Sequence, residues 1–166
     1  VFVRRHFMQR LNEEMRRAER YQHPISVAML DLDHFKSHND IYGHAFGDTV
    51  LMEVVRAVQG SIRQDIDLVG RLGGDEFGII MPETDPVGAE VLTRRVVERV
   101  RRLRVGAAKV SLTVSIGVAT WPRDADSVSE LLEQADRALY MVKSMGRNGA
   151  VVLGARRNLV LVKQPE

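Results

Sequence analysis

The chain has 166 residues, 45% of them hydrophobic and 28% charged, which suits one globular domain large enough to bury a core. It has no apolar run long enough to cross a bilayer, no signal-peptide pattern and no cysteine, which argues against a membrane role and excludes disulfides and thiolate metal sites; a reducing, cytoplasmic location is expected. The 24 Lys+Arg balance 22 Asp+Glu to a net charge of +2, which gives no case for a general nucleic-acid binder.

Arg4 to Gln22 reads as a helix, with Phe7, Leu11, Met15 and Ala18 at helical spacing and an arginine-rich solvated face. Pro24 ends it. Ile25-Ser26-Val27-Ala28-Met29-Leu30 is a nearly continuous apolar run, the pattern of a central strand covered on both faces. This strand runs into Asp31-Leu32-Asp33-His34-Phe35-Lys36. Carboxylates two apart on a strand share a face, so Asp31 and Asp33 are expected to emerge together. Buried acids are costly unless paired or metal-bound; Lys36 is a structural partner, but one lysine against two acids leaves negative charge, which favours a metal.

Ile41 to Asp48 is a glycine-punctuated connection, with Asp48 placed near the start of the next helix as a capping carboxylate. Val50, Leu51, Val54, Val55 and Val58 form that helix's apolar stripe. Leu68 to Leu72 and Phe77 to Ile80 then flank Gly73-Gly74, which predicts a β-hairpin whose glycines take positive φ. Asp75-Glu76 directly behind the turn is unusual, because adjacent carboxylates repel and have poor β-propensity. A bound cation and a solvated acidic turn both account for the pair.

Asp85-Pro86 opens a further helix. Val87, Val91, Val96, Val97, Val100 and Leu103 are expected to face inward, and Arg94, Arg95, Arg99, Arg101, Arg102 and Arg104 to be solvated. No aromatics interleave these arginines, so they make no nucleic-acid surface. Val110 to Ala119 alternates as a strand, closed by Trp121-Pro122. Ser127 or Ser129 caps the last helix, with Leu131, Leu132, Ala135, Ala138, Leu139, Tyr140 and Val142 expected inside. Lys143 and Arg147 at its C-terminal end oppose the helix dipole, and equally offer two donors to an anion. From Val151 a final strand or hairpin is expected, fraying at Gln164-Pro165-Glu166. The order predicts an α+β fold with a mixed, mostly antiparallel central sheet covered by helices.

The unusual residues form one inventory: acids at strand ends (Asp31, Asp75, Glu76), cations (Lys36, Lys143, Arg147) and loop polar groups (Asn39, His44, Asp48). Carboxylate oxygens without cysteine suit Mg²⁺ or Mn²⁺. A carboxylate-held metal with separated Lys and Arg is what a nucleoside triphosphate needs. A carboxylate such as Asp48 accepts two hydrogen bonds from the guanine edge, which adenine lacks. The chemistry points to metal-dependent nucleotidyl transfer with a guanine preference.

Four blocks, in order, carry a family resemblance: Asp31-Leu32-Asp33-His34-Phe35-Lys36-x-x-Asn39-Asp40-x-Tyr42-Gly43-His44-x-x-Gly47-Asp48; Arg71-Leu72-Gly73-Gly74-Asp75-Glu76-Phe77; Ser115-Ile116-Gly117-Val118-Ala119; and Ala135-Asp136-Arg137-Ala138-Leu139-Tyr140-x-x-Lys143-x-x-Gly146-Arg147-Asn148. Together they resemble the GGDEF family of diguanylate cyclases over nearly the whole chain. The resemblance implies a fold similar to the adenylyl cyclase catalytic core. It implies condensation of two GTP to cyclic di-GMP with release of two pyrophosphates, in a homodimer that brings two GTP-loaded domains face to face. By the same resemblance Asp31, the Leu32 carbonyl and Asp75 would hold the metal. Asn39 and Asp48 would read guanine with His44 nearby, and Phe35 would belong to the substrate site. Lys36 would stabilise transition-state charge, Lys143 and Arg147 would bind the terminal phosphates, and Asp75 or Glu76 would assist deprotonation of the 3′-hydroxyl.

The chain departs from the family pattern twice. The product-inhibition motif Arg-x-x-Asp reads Gln64-Asp65-Ile66-Asp67 here, with Arg63 out of register, so weak or absent feedback is expected. The Leu-Thr-x-Leu-x-Asn-Arg opening is replaced by Val1-Phe2-Val3-Arg4-Arg5. The expectation is a single catalytic domain over 1–166, with a family core of about 4–153, a C-terminal extension at 154–166 and the usual upstream regulatory module missing. The competing function is a GTP- or cyclic-di-GMP-binding regulatory domain without catalysis, of the kind joined to a phosphodiesterase domain; the intact acids and cations favour the enzyme.

Overall fold

The computed structural model describes residues 2–155 and 160–161. In chain order the elements are β1 (Phe2–Val3), α1 (Arg4–Tyr21), β2 (Ile25–Leu32), α2 (Phe35–Tyr42), α3 (His44–Gln59), β3 (Leu68–Arg71), β4 (Glu76–Pro82), α4 (Pro86–Arg101), β5 (Arg104–Val105), β6 (Val110–Ser111), β7 (Val114–Trp121), α5 (Val128–Ser144), β8 (Gly149–Val152) and β9 (Val160–Leu161). The main sheet has the strand order β1-β3-β4-β2-β7-β8-β9, and β5-β6 form a separate small hairpin. Neighbours β3–β4–β2–β7 are antiparallel, whereas β1–β3 and β7–β8 are parallel. This is the α+β, mostly antiparallel arrangement expected. The C-terminal fraying lies outside the described residues.

Helices cover both faces. The apolar stripes of α1 and α5 pack with Ile25, Val27, Ile80, Ala119 and Trp121 on one side. Those of α3 and α4 pack with Ala28, Leu30, Ile79, Met81, Ile116 and Val118 on the other. Alternate residues of β2 therefore feed opposite cores, which is why its sequence is apolar without a break. Two glycine positions set how closely the first layer sits. Gly70 and Gly78 are cross-strand partners, and β-carbons there would lie 2.6 Å and 2.4 Å from the Phe7 ring. At Gly117 a β-carbon would meet the Leu139 amide nitrogen at 2.0 Å, so the α5 backbone rests directly on β7.

Several local expectations are corrected. Gly73 and Gly74 do not take positive φ; four residues, Leu72 to Asp75, separate β3 from β4, and both Leu72 and Gly73 amides donate to the Glu76 carbonyl (2.8 and 3.4 Å). Asp48 is no cap: α3 begins at His44 after Gly43 (φ 87°), and Asp48 lies a turn inside it. Val87 and Val91 are exposed (59% and 61%), because Ala89, Leu92 and Thr93 carry the inward face of α4. Tyr140 is likewise 73% exposed. The run Val110 to Ala119 breaks at Leu112-Thr113, its first part pairing with β5 and its second entering the sheet. Helix starts fare better: Asp85 accepts from the Gly88 amide (2.8 Å) ahead of Pro86, and Ser127 from Glu130 (3.1 Å).

Candidate active site

The sheet's central edge gathers three acids. Asp31 at the end of β2 pairs in register with Glu76 of β4, which puts both side chains on the sheet face covered by α1 and α5. The Leu32 amide donates to the Asp75 carbonyl (3.3 Å), laying the β3–β4 turn beside Asp31. Burial first, and then the Asp31 carboxylate, push the Asp75 carboxyl above the usual carboxylate range; its own backbone hydrogen bond works against this and does not cancel it. Two mutually repelling carboxylates beside a backbone strand end form a donor set of hard oxygens. Among the described residues no three His, Asp or Glu converge into a closed metal cage. An open two-carboxylate set fits Mg²⁺ or Mn²⁺ completed by water and phosphate oxygens, and does not fit structural zinc.

The turn carrying Asp75 is fastened from below. Arg71 donates through Nε to the Gly73 and Gly74 carbonyls (3.2 and 3.1 Å) and through Nη2 to Gly74 (2.7 Å). Arg71 stands in the family block without a stated role; the signal for it is a fork-shaped donor two to three residues ahead of carbonyls that a turn leaves unpaired. At Gly74 a β-carbon would meet nothing within 4 Å, so this glycine leaves open space over the turn.

Lys143, on the last turn of α5, donates to Asp31 Oδ2. Arg147 follows, exposed, in the turn before β8. Lys36, in the first turn of α2, is exposed and makes no ion pair among the described residues, so it does not serve as Asp31's partner. Asp33 is the main correction. It does not emerge with Asp31, because β2 ends at Leu32 and His34 turns the chain with φ 58°. Asp33 is buried (5% exposed) and accepts from Thr113 Oγ1 (2.7 Å), Ser115 Oγ (2.7 Å) and the Asn148 amide (3.0 Å).

The polar loop residues sit where α2 meets α3. Asn39 packs on Gly47, where a β-carbon would lie 1.8 Å from Asn39 Oδ1, and that oxygen is buried without a hydrogen-bond partner among the described residues. His44 and Asp48 are exposed one helical turn apart on α3 and so share a face. Phe35 is half-buried and packs on the core between the sheet and α3–α4, a position that anchors α2. Away from this edge, Asp67 is buried under Arg63, which grips it through Nε (3.1 and 3.2 Å) and Nη2 (2.6 Å) and also donates to Pro82 O and Thr84 Oγ1 (2.8 Å each). The Asp67 side chain raises the Arg63 pKa further above its ordinary value. Gln64 makes no such contact.

A close carboxylate pair at the end of a helix-covered antiparallel sheet, with Lys143 and Arg147 at the facing end of α5, fits a nucleotidyl-cyclase-type domain. The model for "Diguanylate cyclase, GGDEF domain" matches residues 1–149, and the chain belongs to the GGDEF family. It is similar to the bifunctional diguanylate cyclase/cyclic di-GMP phosphodiesterase MucR of Pseudomonas aeruginosa, 37% identical over 141 residues, covering 84% of this chain and 20% of that protein. "Probable diguanylate cyclase DgcT" of Escherichia coli is 38% identical over 156 residues, covering 92% of this chain and 34% of that protein. Among solved structures, the GGDEF domain of TpbB (YfiN) from P. aeruginosa superposes with a TM-score of 0.83 at 35% identity, covering 88% of this chain and 92% of that one. The chain thus spans about a fifth to a third of these two curated relatives, and nearly all of a GGDEF domain.

Proposed function

We propose that this domain condenses two GTP into cyclic di-GMP with release of two pyrophosphates, in the presence of Mg²⁺ or Mn²⁺. The observation that carries the reading is the Asp31–Asp75 pair: a strand-end and a turn carboxylate far apart in sequence, where burial and then the Asp31 charge raise the Asp75 pKa, with Lys143 at their edge. Asp31, the Leu32 carbonyl and Asp75 would hold the metal, which when bound polarises the α-phosphate and neutralises the triphosphate. Lys143 and Arg147 bind the β- and γ-phosphates, absorbing charge that appears on the leaving pyrophosphate. Lys36, projecting from the first turn of α2, offers a further cation to the transition state. Asn39 and Asp48 hold the guanine edge with His44 beside them; the unpartnered Asn39 Oδ1 supports this, since it is an acceptor without a donor. Asp75 or Glu76 receives the 3′-hydroxyl proton. The product's two-fold symmetry calls for two domains, each presenting one GTP to the other. MucR and DgcT are named for this chemistry, and a DgcB domain from Caulobacter crescentus has been solved in complex with c-di-GMP.

The test is incubation with GTP and Mg²⁺ or Mn²⁺, with product analysis over a range of protein concentration. Cyclic di-GMP should form with a rate that rises faster than linearly in protein, and Asp75→Ala should lose at least about a hundredfold in turnover. Unchanged turnover in Asp75→Ala would remove the metal assignment.

A further inference from the structure

Asp33 stands beside the site without belonging to it. Two of its hydrogen bonds hold it to Thr113 and Ser115 at the start of β7, and the third, from the Asn148 amide, ties the end of β2 to the turn that carries Arg147. The turn between α5 and β8 has three successive residues at positive φ, Gly146 (103°), Arg147 (66°) and Asn148 (53°). For the two non-glycine residues this conformation costs on the order of 1 kcal/mol or more each, and it persists only when its surroundings hold it. The Arg147 amide closes back on the Val142 carbonyl (3.0 Å), and the Asn148 amide donates to Asp33 Oδ2 (3.0 Å). Immediately afterwards Gly149 enters the sheet opposite Ser115, whose hydroxyl is bonded to Asp33 Oδ1.

We propose that Asp33 is a positioning residue for the phosphate end of the site, locking the α5–β8 turn through the Asn148 amide and so fixing where Arg147 stands relative to Asp31. The proposal rests on the reading of this edge as a GTP site. The donor arithmetic makes it specific. Thr113 and Ser115 hydroxyls can either donate or accept, but the Asn148 amide can only donate. Asparagine at position 33 keeps the lock: its oxygen takes the Asn148 amide and Thr113, while its NH₂ donates to Ser115. Valine at position 33 has no acceptor, leaving the amide unpaired and the strained turn released. Since Asp33 lies two residues beyond Asp31, just past the end of β2, one short stretch of chain carries the proposed metal ligand and the anchor of the opposite wall.

The experiment measures binding of 3′-deoxy-GTP, which cannot cyclise, and of GMP, which lacks the terminal phosphates. Asp33→Val should weaken 3′-deoxy-GTP about tenfold and leave GMP within about twofold, whereas Asp33→Asn should stay within about threefold of the unmodified chain for both. Asp33→Val combined with Arg147→Ala should be no weaker than Arg147→Ala alone, because both act at one group. Equal loss of GMP and 3′-deoxy-GTP, or losses that multiply in the double variant, would overturn the proposal. Should Asp33→Val fail to fold, Asp33→Ser gives the same comparison, with a hydroxyl for Ser115 but too short a reach for Asn148. An unmodified chain that binds neither nucleotide would instead remove the GTP reading itself.

Discussion

The Lys143 ammonium donates to Asp31 Oδ2 and so joins the end of α5 to the end of β2 across 112 residues of sequence. In the proposed reaction both partners have other work: Asp31 toward a divalent cation, Lys143 toward phosphate. A carboxylate oxygen that holds an ammonium is a poorer metal ligand, so the lysine and the metal compete. A triphosphate that draws Lys143 away relieves the competition, coupling metal and nucleotide binding. Lys143→Met is therefore expected to bind Mn²⁺ about three- to tenfold more tightly without nucleotide, the scale of one partly exposed ion pair, and to bind GTP more weakly. Titration with Mn²⁺ followed by electron paramagnetic resonance reads the first effect directly. Unchanged Mn²⁺ affinity would mean that the pair does not guard the site.

Asp75 supplies the pH dependence. Burial and the Asp31 carboxylate raise its folded-state pKa above the unfolded value. The folded chain then binds more protons than the unfolded chain between those two values, so stability falls as pH rises through that window. Below it both states are protonated and the penalty is absent. In chelator, Asp75→Asn should melt higher than the unmodified chain at pH 7, by up to about 1 kcal/mol given partial exposure. The gain should vanish as pH falls below the ordinary carboxylate range. Thermal melts at several pH values decide it; a variant less stable at neutral pH would contradict the repulsion inferred here.

The candidate site residues stand out in the sequence because their chemistry is improbable in a plain fold. Asp75-Glu76 behind a turn, and Asp31 at the end of an apolar strand, stand out against β-propensity and burial cost. The sheet was legible in its central strands, since β2 and β7 are apolar on both faces. What could not be read was which acid goes where. Asp31 and Asp33 look equivalent by strand periodicity, yet the strand ends between them, and only the three-dimensional position of Thr113, Ser115 and Asn148 separates ligand from anchor. Helix faces failed similarly at Val87, Val91 and Tyr140: a branched or aromatic side chain signals a core position only if a neighbouring layer reaches it. The roles of Arg71 and Arg63 were harder to read, because each acts through a contact that composition does not encode.

Arg63 also bears on regulation. The residue that would grip product is Gln64, and the Asp67 carboxylate is already saturated by Arg63 through the backbone amide and guanidinium. Cyclic di-GMP at micromolar concentration is accordingly expected to leave turnover within about twofold of its uninhibited rate. Gln64→Arg alone should restore little inhibition, because Asp67 has no free oxygen lone pairs in the required direction until Arg63 is removed. Initial rates across a product titration check this, and strong inhibition lost on Asp67→Ala would refute it.

Phe7 fixes the distance between α1 and the hairpin that bears Asp75. Its ring lies over the cross-strand pair Gly70 and Gly78, where β-carbons would approach to 2.6 and 2.4 Å. Both contacts are with a fully buried ring in a packed layer, which has no room to retreat. Gly78→Ala is therefore expected to destabilise the domain by about 1–3 kcal/mol through overpacking. Phe7→Leu, which shortens the intruding ring, should be destabilising alone through lost burial, yet the double variant Gly78→Ala/Phe7→Leu should be less damaged than the sum of the two. Urea unfolding of the four proteins measures the coupling. Strictly additive losses would place the cost of the alanine elsewhere than against Phe7.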